Sequence, residues 1–177
     1  MRKRSPGLKG LNLLWAPWRI GYITNAESEK GCFLCRARDE RKDKKNLVIF
    51  KGKRAFVVMN RFPYTNGHLM VAPRRHVGTL EALKEAEVLD LMEAIVLAKR
   101  ALEKSLKPHA YNIGLNLGRA AGAGLEDHLH IHVVPRWVGD TNFMPVVAGA
   151  KVISQSLGEA YVLLKKEIAG IVHTGRT

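Results

Sequence analysis

Long apolar runs are missing from this 177-residue chain. No stretch approaches the roughly 20 apolar residues that a membrane-spanning helix needs, so no such helix is expected. The basic start continues into an apolar part that is short and broken by Pro17 and Arg19, so no secretory signal is expected and the chain is read as cytoplasmic. Cysteine is nearly absent. The only two are Cys32 and Cys35, which excludes a disulfide scaffold; in a cytosolic protein the C-x2-C spacing points to metal or redox chemistry. Acidic residues are also in short supply, 16 against 29 Lys and Arg, leaving a formal net charge of +13. Such an excess suits polyanionic partners: nucleotides, polyphosphates or nucleic acid. Mixed-sign stretches such as 36–45 (RARDERKDKK) instead read as a solvated surface. Internal repeats and low-complexity segments are absent, and the length suits one domain with a real core.

What stands out is residues 127–137, DHLHIHVVPRW. His128, His130 and His132 alternate with Leu129, Ile131 and Val133, the period-two pattern of a half-buried strand. On a strand the three imidazoles share one face, roughly 6–7 Å apart, while the aliphatic residues anchor the other. The remaining histidines, His68, His76, His109 and His173, are scattered.

Along the chain, residues 1–13 are expected to form a disordered basic N-terminus. Trp15, Trp18 and Tyr22 recur at near-helical spacing, which predicts a short helix buttressing the core or an aromatic surface near a base or phosphate. Residues 47–50 (LVIF) and 55–59 (AFVVM) predict two strands joined by a hairpin at Gly52 and Lys53. Residues 60–67 are loop, 68–72 (HLMVA) strand. Thr79 is placed as the cap of a short helix. A long amphipathic helix is expected over 85–106, with Val88, Leu91, Met92, Ile95, Leu97 and Ala98 as its buried side. Residues 111–117 alternate as a strand. The glycine-rich loop 118–124, carrying Arg119, follows, and after the histidine strand 138–147 is loop. A final helix covers about 156–169, within a C-terminal extension (148–177) packed on the domain. Strands and helices do not alternate regularly, so the fold class is α+β with a mainly antiparallel sheet.

A glycine loop immediately before three imidazoles allows backbone N–H groups to approach an anion while one imidazole attacks phosphorus and its neighbours handle protons. Competing readings remain. Histidines two apart on a strand can chelate one ion, and a C-x2-C pair in a basic protein suits a zinc module on nucleic acid. That module would need two further ligands, because there is no second cysteine pair.

The segment 128–134 (HLHIHVV) resembles the His-φ-His-φ-His-φ-φ signature of the histidine-triad family of nucleotide hydrolases and transferases. Residues 60–73 resemble its N-x-x-P-x-x-x-G-H-x-x-V-x-P segment, and 112–124 its Asn- and Gly-containing phosphate loop. The resemblance extends over about 14–147. It implies a five-stranded antiparallel sheet with two principal helices plus terminal extensions, and a homodimer. It implies that His130 is the nucleophile, forming a nucleotidyl-histidine, with His132 at the phosphate and His68 in support. Asn60 would sit at the ribose, and Asn116, Arg119, Gly122 and Gly124 at the phosphates. In the family's zinc-containing members the ligands would match Cys32, Cys35, His76 and His128, a closed structural site. The 15–19 WAPWR segment and the 135–143 tail are similar to the bacterial-type diadenosine tetraphosphate phosphorylases and hydrolases, with adenine nucleotides as substrates and phosphate or water as acceptor. A nucleoside phosphoramidase of the same family, or a non-catalytic zinc-stabilised nucleotide- or nucleic-acid-binding module, is the alternative.

Overall fold

A computed structural model describes residues 31–140, 153 and 155–174. The basic tail, the aromatic segment 14–23 and most of the expected loop 138–147 lie outside the described residues. Helix α1 (Phe33–Asp39) and the single turn α2 (Asp43–Asn46) precede strands β1 (Val48–Lys51), β2 (Ala55–Met59) and β3 (Leu69–Pro73). Helix α3 (Glu85–Leu106), β4 (Ala110–Leu115), a 3-10 turn (Arg119–Ala121), β5 (Ile131–Arg136) and helix α4 (Leu157–Thr174) complete the order. The five strands form one sheet in the order β1-β2-β3-β5-β4, with every neighbouring pair antiparallel.

Period-two alternation explains the layering. On β2, Ala55, Val57 and Met59 turn to one face and join Leu91, Ile95, Ala98 and Leu102 of α3 with Tyr161, Leu164 and Ile168 of α4. Phe56 and Val58 turn to the other, where Leu34 and Ala37 of α1 meet Met70 and Ala72 of β3. Every residue of β2 and β3 is buried, as expected of strands covered on both faces. The β1–β2 hairpin closes where the Gly52 N–H donates to the Ala55 carbonyl at 2.8 Å. Gly67, in the turn before β3, has φ +72°, and a Cβ there would lie 2.5 Å from Leu106 Cδ1, so glycine answers both the backbone sign and the space.

Four expectations need correction. The segment around Thr79 is not helical and caps nothing; a turn closes there instead, with the Leu83 N–H on the Leu80 carbonyl at 3.1 Å. The buried side of α3 is Leu91, Ala94, Ile95, Ala98, Ala101 and Leu102, whereas Val88 and Met92 are exposed. The histidine segment is ladder only from Ile131 onward, because the Leu129 N–H is taken by the Val77 carbonyl at 2.7 Å. The final helix runs to Thr174, five residues beyond the expected end. It opens with a Ser–Glu capping box in which the Glu159 N–H donates to Ser156 Oγ and the Ser156 N–H to Glu159 Oε2, both at 3.2 Å.

Candidate active site and metal centre

Strand β5 is the second strand from the sheet edge. Its His132 lies opposite Met70 of β3 and Gly114 of β4, on the face away from α3 and α4. His130 and His128 precede the ladder on the same path, and all three imidazoles are buried, with His130 and His132 each 8 % exposed. The rings of His130 and His132 meet edge-on with centroids 5.0 Å apart, closer than a regular strand would hold them. His68, immediately before β3, stands beside them, 5.1 Å centroid to centroid from His132.

The hydrogen bonds dictate which nitrogen carries each proton. A carbonyl can only accept, so His130 Nδ1, 2.9 Å from the His128 carbonyl oxygen, must be the protonated nitrogen. In the neutral ring, His130 Nε2 then keeps its lone pair. The reverse holds at His68: its Nδ1 accepts the Tyr64 N–H at 3.1 Å. The proton of neutral His68 is therefore on Nε2, which donates to His132 Nδ1 at 3.0 Å. His132 in turn carries its proton on Nε2; Asn116 Nδ2, itself a donor, stands 3.5 Å from that atom and makes no hydrogen bond to it in this tautomer. A chain that starts at a backbone N–H thus ends in a directed donor beside a free imidazole lone pair.

Both relay rings are held neutral. Burial, then the neighbouring His132 and His130, lowers His68 to a pKa of about 3. Burial, then His130, lowers His132 to about 4. Tyr64, 51 % exposed, covers this pair from outside, 4.5 Å from the His68 ring and 5.6 Å from that of His132. Asn60 braces the same turn: its Oδ1 accepts the Phe62 N–H at 2.9 Å, and its Nδ2 lies 3.3 Å from His68 Nδ1.

Beside His130 a cleft of about 320 Å³ is lined by residues 78–81, 116–118, 125, 126 and 128–130. Asn116 and the start of the glycine loop form one wall. Arg119 points outward and pairs with Glu126 at 2.6 Å, its side chain 90 % exposed. Gly122 has φ +88° and closes the 3-10 turn, its N–H on the Arg119 carbonyl at 2.9 Å. Gly124 lies on the exposed return to β5.

The second cluster lies at the other end of the histidine segment. Cys32, Cys35, His76 and His128 offer ligand atoms that all fall within 4.8 Å of one another. His128 Nδ1 is 3.2 Å from Cys32 Sγ and 3.5 Å from Cys35 Sγ, and His76 Nδ1 is 3.3 Å from Cys35 Sγ. Those three spacings are close to the edges of a tetrahedron around zinc, roughly 3.3–3.8 Å from the usual Zn–N and Zn–S lengths. The tautomer also fits, since His128 Nε2 donates to the Pro73 carbonyl at 2.8 Å and leaves the Nδ1 lone pair facing the sulfurs. Cys32 caps α1, accepting the Cys35 N–H on Sγ at 3.4 Å. Burial, then the Cys32 hydrogen bond and charge, raises the Cys35 thiol above its ordinary pKa; a bound divalent cation would reverse that. The residues present therefore fit a zinc ion.

Two contributors have no signal in the sequence. Glu87 accepts the Lys84 N–H at 2.9 Å at the start of α3 and grips Arg75 with contacts of 2.9 and 2.7 Å, fixing the residue next to His76. Tyr64 is an ordinary loop aromatic until the turn folds it over the histidines.

An alternating histidine segment beside a glycine loop, on an open five-stranded sheet, defines a class of nucleotide-handling proteins. Residues 41–138 match the HIT domain, and the chain belongs to the histidine-triad (HIT) family. It is 40 % identical over 166 residues to the AP-4-A phosphorylase of Mycobacterium tuberculosis H37Rv, spanning 90 % of this chain and 85 % of that protein. It is 32 % identical over 93 residues to the asymmetrical bis(5'-nucleosyl)-tetraphosphatase of Schizosaccharomyces pombe, 52 % of this chain and 50 % of that one. The crystal structure of a Zn-bound histidine triad family protein from Mycobacterium smegmatis shares the fold, with TM-score 0.59 and 21 % identity over 86 % of this chain and 95 % of that one.

Proposed function

We propose that the protein cleaves dinucleoside polyphosphates of the diadenosine tetraphosphate type by transferring a nucleotidyl group through His130, with inorganic phosphate as acceptor. The observation that carries this reading is the pairing of opposite tautomers: His130 presents a lone pair where His132 presents an N–H. His130 Nε2 attacks the α-phosphorus, forming a P–N bond as the P–O bond to the leaving nucleoside polyphosphate breaks. His132 Nε2–H donates to that region of developing negative charge. The His128 carbonyl steadies the cationic ring of the intermediate through Nδ1–H. Phosphate oxygen then attacks the same phosphorus, the P–N bond breaks, and a nucleoside diphosphate leaves. A polyphosphate beside His132 supplies the negative charge that offsets its lowered pKa. Asn116, Gly122 and Gly124 are assigned to the phosphates, Asn60 to the ribose, and Arg119 to the phosphates once it parts from Glu126.

The AP-4-A phosphorylase relative, alike over most of both chains, supports phosphate as acceptor. The tetraphosphatase relative supports water as the second reading. Incubation with diadenosine tetraphosphate separates them: ATP plus ADP, formed only with phosphate, is the expected result, and AMP plus ATP irrespective of phosphate would assign water. No cleavage under either condition would overturn the reading.

Cys32, Cys35, His76 and His128 are assigned to a structural zinc ion. Bound, zinc would supply a rigid cross-link and no open coordination position. A homodimer is supported by the edge strand β4, whose Ile113 and Leu115 are exposed, together with the exposed Leu89, Met92 and Val96 of α3. Such an unpaired edge together with an apolar helix side suits a second copy, and a monomer mass in solution would remove that assignment. Among the described residues no helix is long and apolar enough to cross a membrane.

A further inference from the structure

The cleft beside His130 has a wall that the triad chemistry does not use. Residues 78–81 form it, and Asn116, Leu117 and Gly118 with residues 125, 126 and 128–130 line the rest. The wall is fixed to the segment 126–129. The Val77 carbonyl accepts the Leu129 N–H at 2.7 Å. A Cβ on Gly78 would stand 2.9 Å from the Glu126 carbonyl oxygen and 3.0 Å from Asp127 Cα. The turn is therefore seated on the same segment that carries His128 and His130, and its distance from the nucleophile is set by backbone contact.

The lining states what the cleft accepts. Leu80 is 44 % exposed and Leu117 50 % exposed, so the cleft presents apolar side chains to an entering ligand. Glu81 and Glu126 contribute carboxylates, and the nearby Arg119 is turned to Glu126. Carboxylates repel phosphate but accept hydrogen bonds from amino and hydroxyl groups. Apolar side chains with a few polar acceptors, in a volume at the lower end of small-ligand sites, suit a base and a ribose.

We propose that this cleft is the subsite for the leaving nucleoside of a dinucleoside polyphosphate. The phosphate chain passes His130, and the second nucleoside lies against Leu80 while the Glu81 carboxylate accepts from its base amino group or ribose hydroxyls. The proposal rests on the nucleotidyl-transfer reading above for the placement of the phosphates, and its test is one of binding, independent of turnover.

The test uses His130→Ala protein, in which ligands persist, and two ligands with the same number of phosphates: diadenosine tetraphosphate and adenosine 5'-tetraphosphate. They differ by the second nucleoside and by the extra negative charge of the mononucleotide's free terminal phosphate, which favours the mononucleotide on a basic protein and so works against the expected result. By calorimetry the dinucleotide is expected to bind about tenfold more tightly, the scale of one well-filled apolar contact. Adding Leu80→Ala or Glu81→Gln should shrink that ratio several-fold. Both positions line the open side of the cleft, and the ratio is measured within one protein, so a general loss of folding cannot imitate it. Equal affinities for the two ligands before any change at the wall would overturn the subsite. So would an advantage that survives both substitutions. A protein that shows the expected ratio yet never cleaves the dinucleotide would overturn the proposed reaction and leave the subsite standing.

Discussion

At the scale of single residues, the site depends on proton positions more than on the number of histidines. His68 does not face the cleft. It fixes His132 by donating from Nε2 to Nδ1 at 3.0 Å, and it can do so only because the Tyr64 N–H occupies its other nitrogen. His68→Ala is expected to lower kcat by about 10–100-fold, the range for a misdirected proton-transfer group, with little effect on KM. His68→Gln, whose amide N–H can stand where the imidazole N–H stood, should recover part of that loss. Equal loss in both variants would reduce His68 to a packing role. The identities of these residues were legible in the sequence, because the spacing of His128, His130 and His132 and the Gly67-His68 pair are local patterns. Their tautomers were not. They depend on the Tyr64 N–H and on the carbonyls of His128 and Pro73, which only the folded backbone brings into range.

At the scale of elements, strand boundaries and the long helix followed from pattern. Strand β2 runs where its short run of β-forming residues placed it, and helix α3 where the 3.6-residue period placed it. The misreadings share one cause. Periodicity marks an apolar face but not what covers it, so Val88 and Met92 looked like core and are exposed. Similarly, alternation extended the histidine strand back to His128, whereas a bond to Val77 from outside the sheet interrupts it. That interruption lets His128 serve two elements at once. Its ring faces the cysteines of α1, and its carbonyl holds His130. If zinc occupies the four-residue cluster, carefully purified protein should contain about one equivalent by elemental analysis. Chelation should then speed amide exchange in α1 and in residues 74–78 well before the β2–β3 ladder is affected. Protein purified without zinc, with exchange indifferent to chelator, would contradict the assignment.

At the scale of the whole molecule, the fold buries rings that would rather be charged in acid. His68 and His132 fall from an ordinary 6.5 to about 3 and about 4. Below 6.5 the unfolded chain takes up protons that the folded chain refuses, so stability is full above that value and declines as pH falls toward about 4 and 3. Thermal unfolding of the metal-free protein should therefore show a falling Tm between about pH 6.5 and pH 4, and the slope should be shallower in His132→Asn. A Tm that rises through that interval would contradict the burial of neutral rings. The net charge of +13 works in the same direction in acid, through self-repulsion of the compact state. Near neutral pH it favours the approach of a polyphosphate.

The proposed reaction makes His130 the group that takes up the nucleotidyl unit, and a covalent adduct is its most direct signature. Protein mixed with diadenosine tetraphosphate in the absence of phosphate and quenched in alkaline denaturant, which preserves P–N bonds, can be digested and read by mass spectrometry. One adenylyl group is expected on the peptide containing His130, disappearing when phosphate is added and absent from His130→Ala. An adenylyl group on any other residue, or undiminished turnover by His130→Ala, would contradict the assignment.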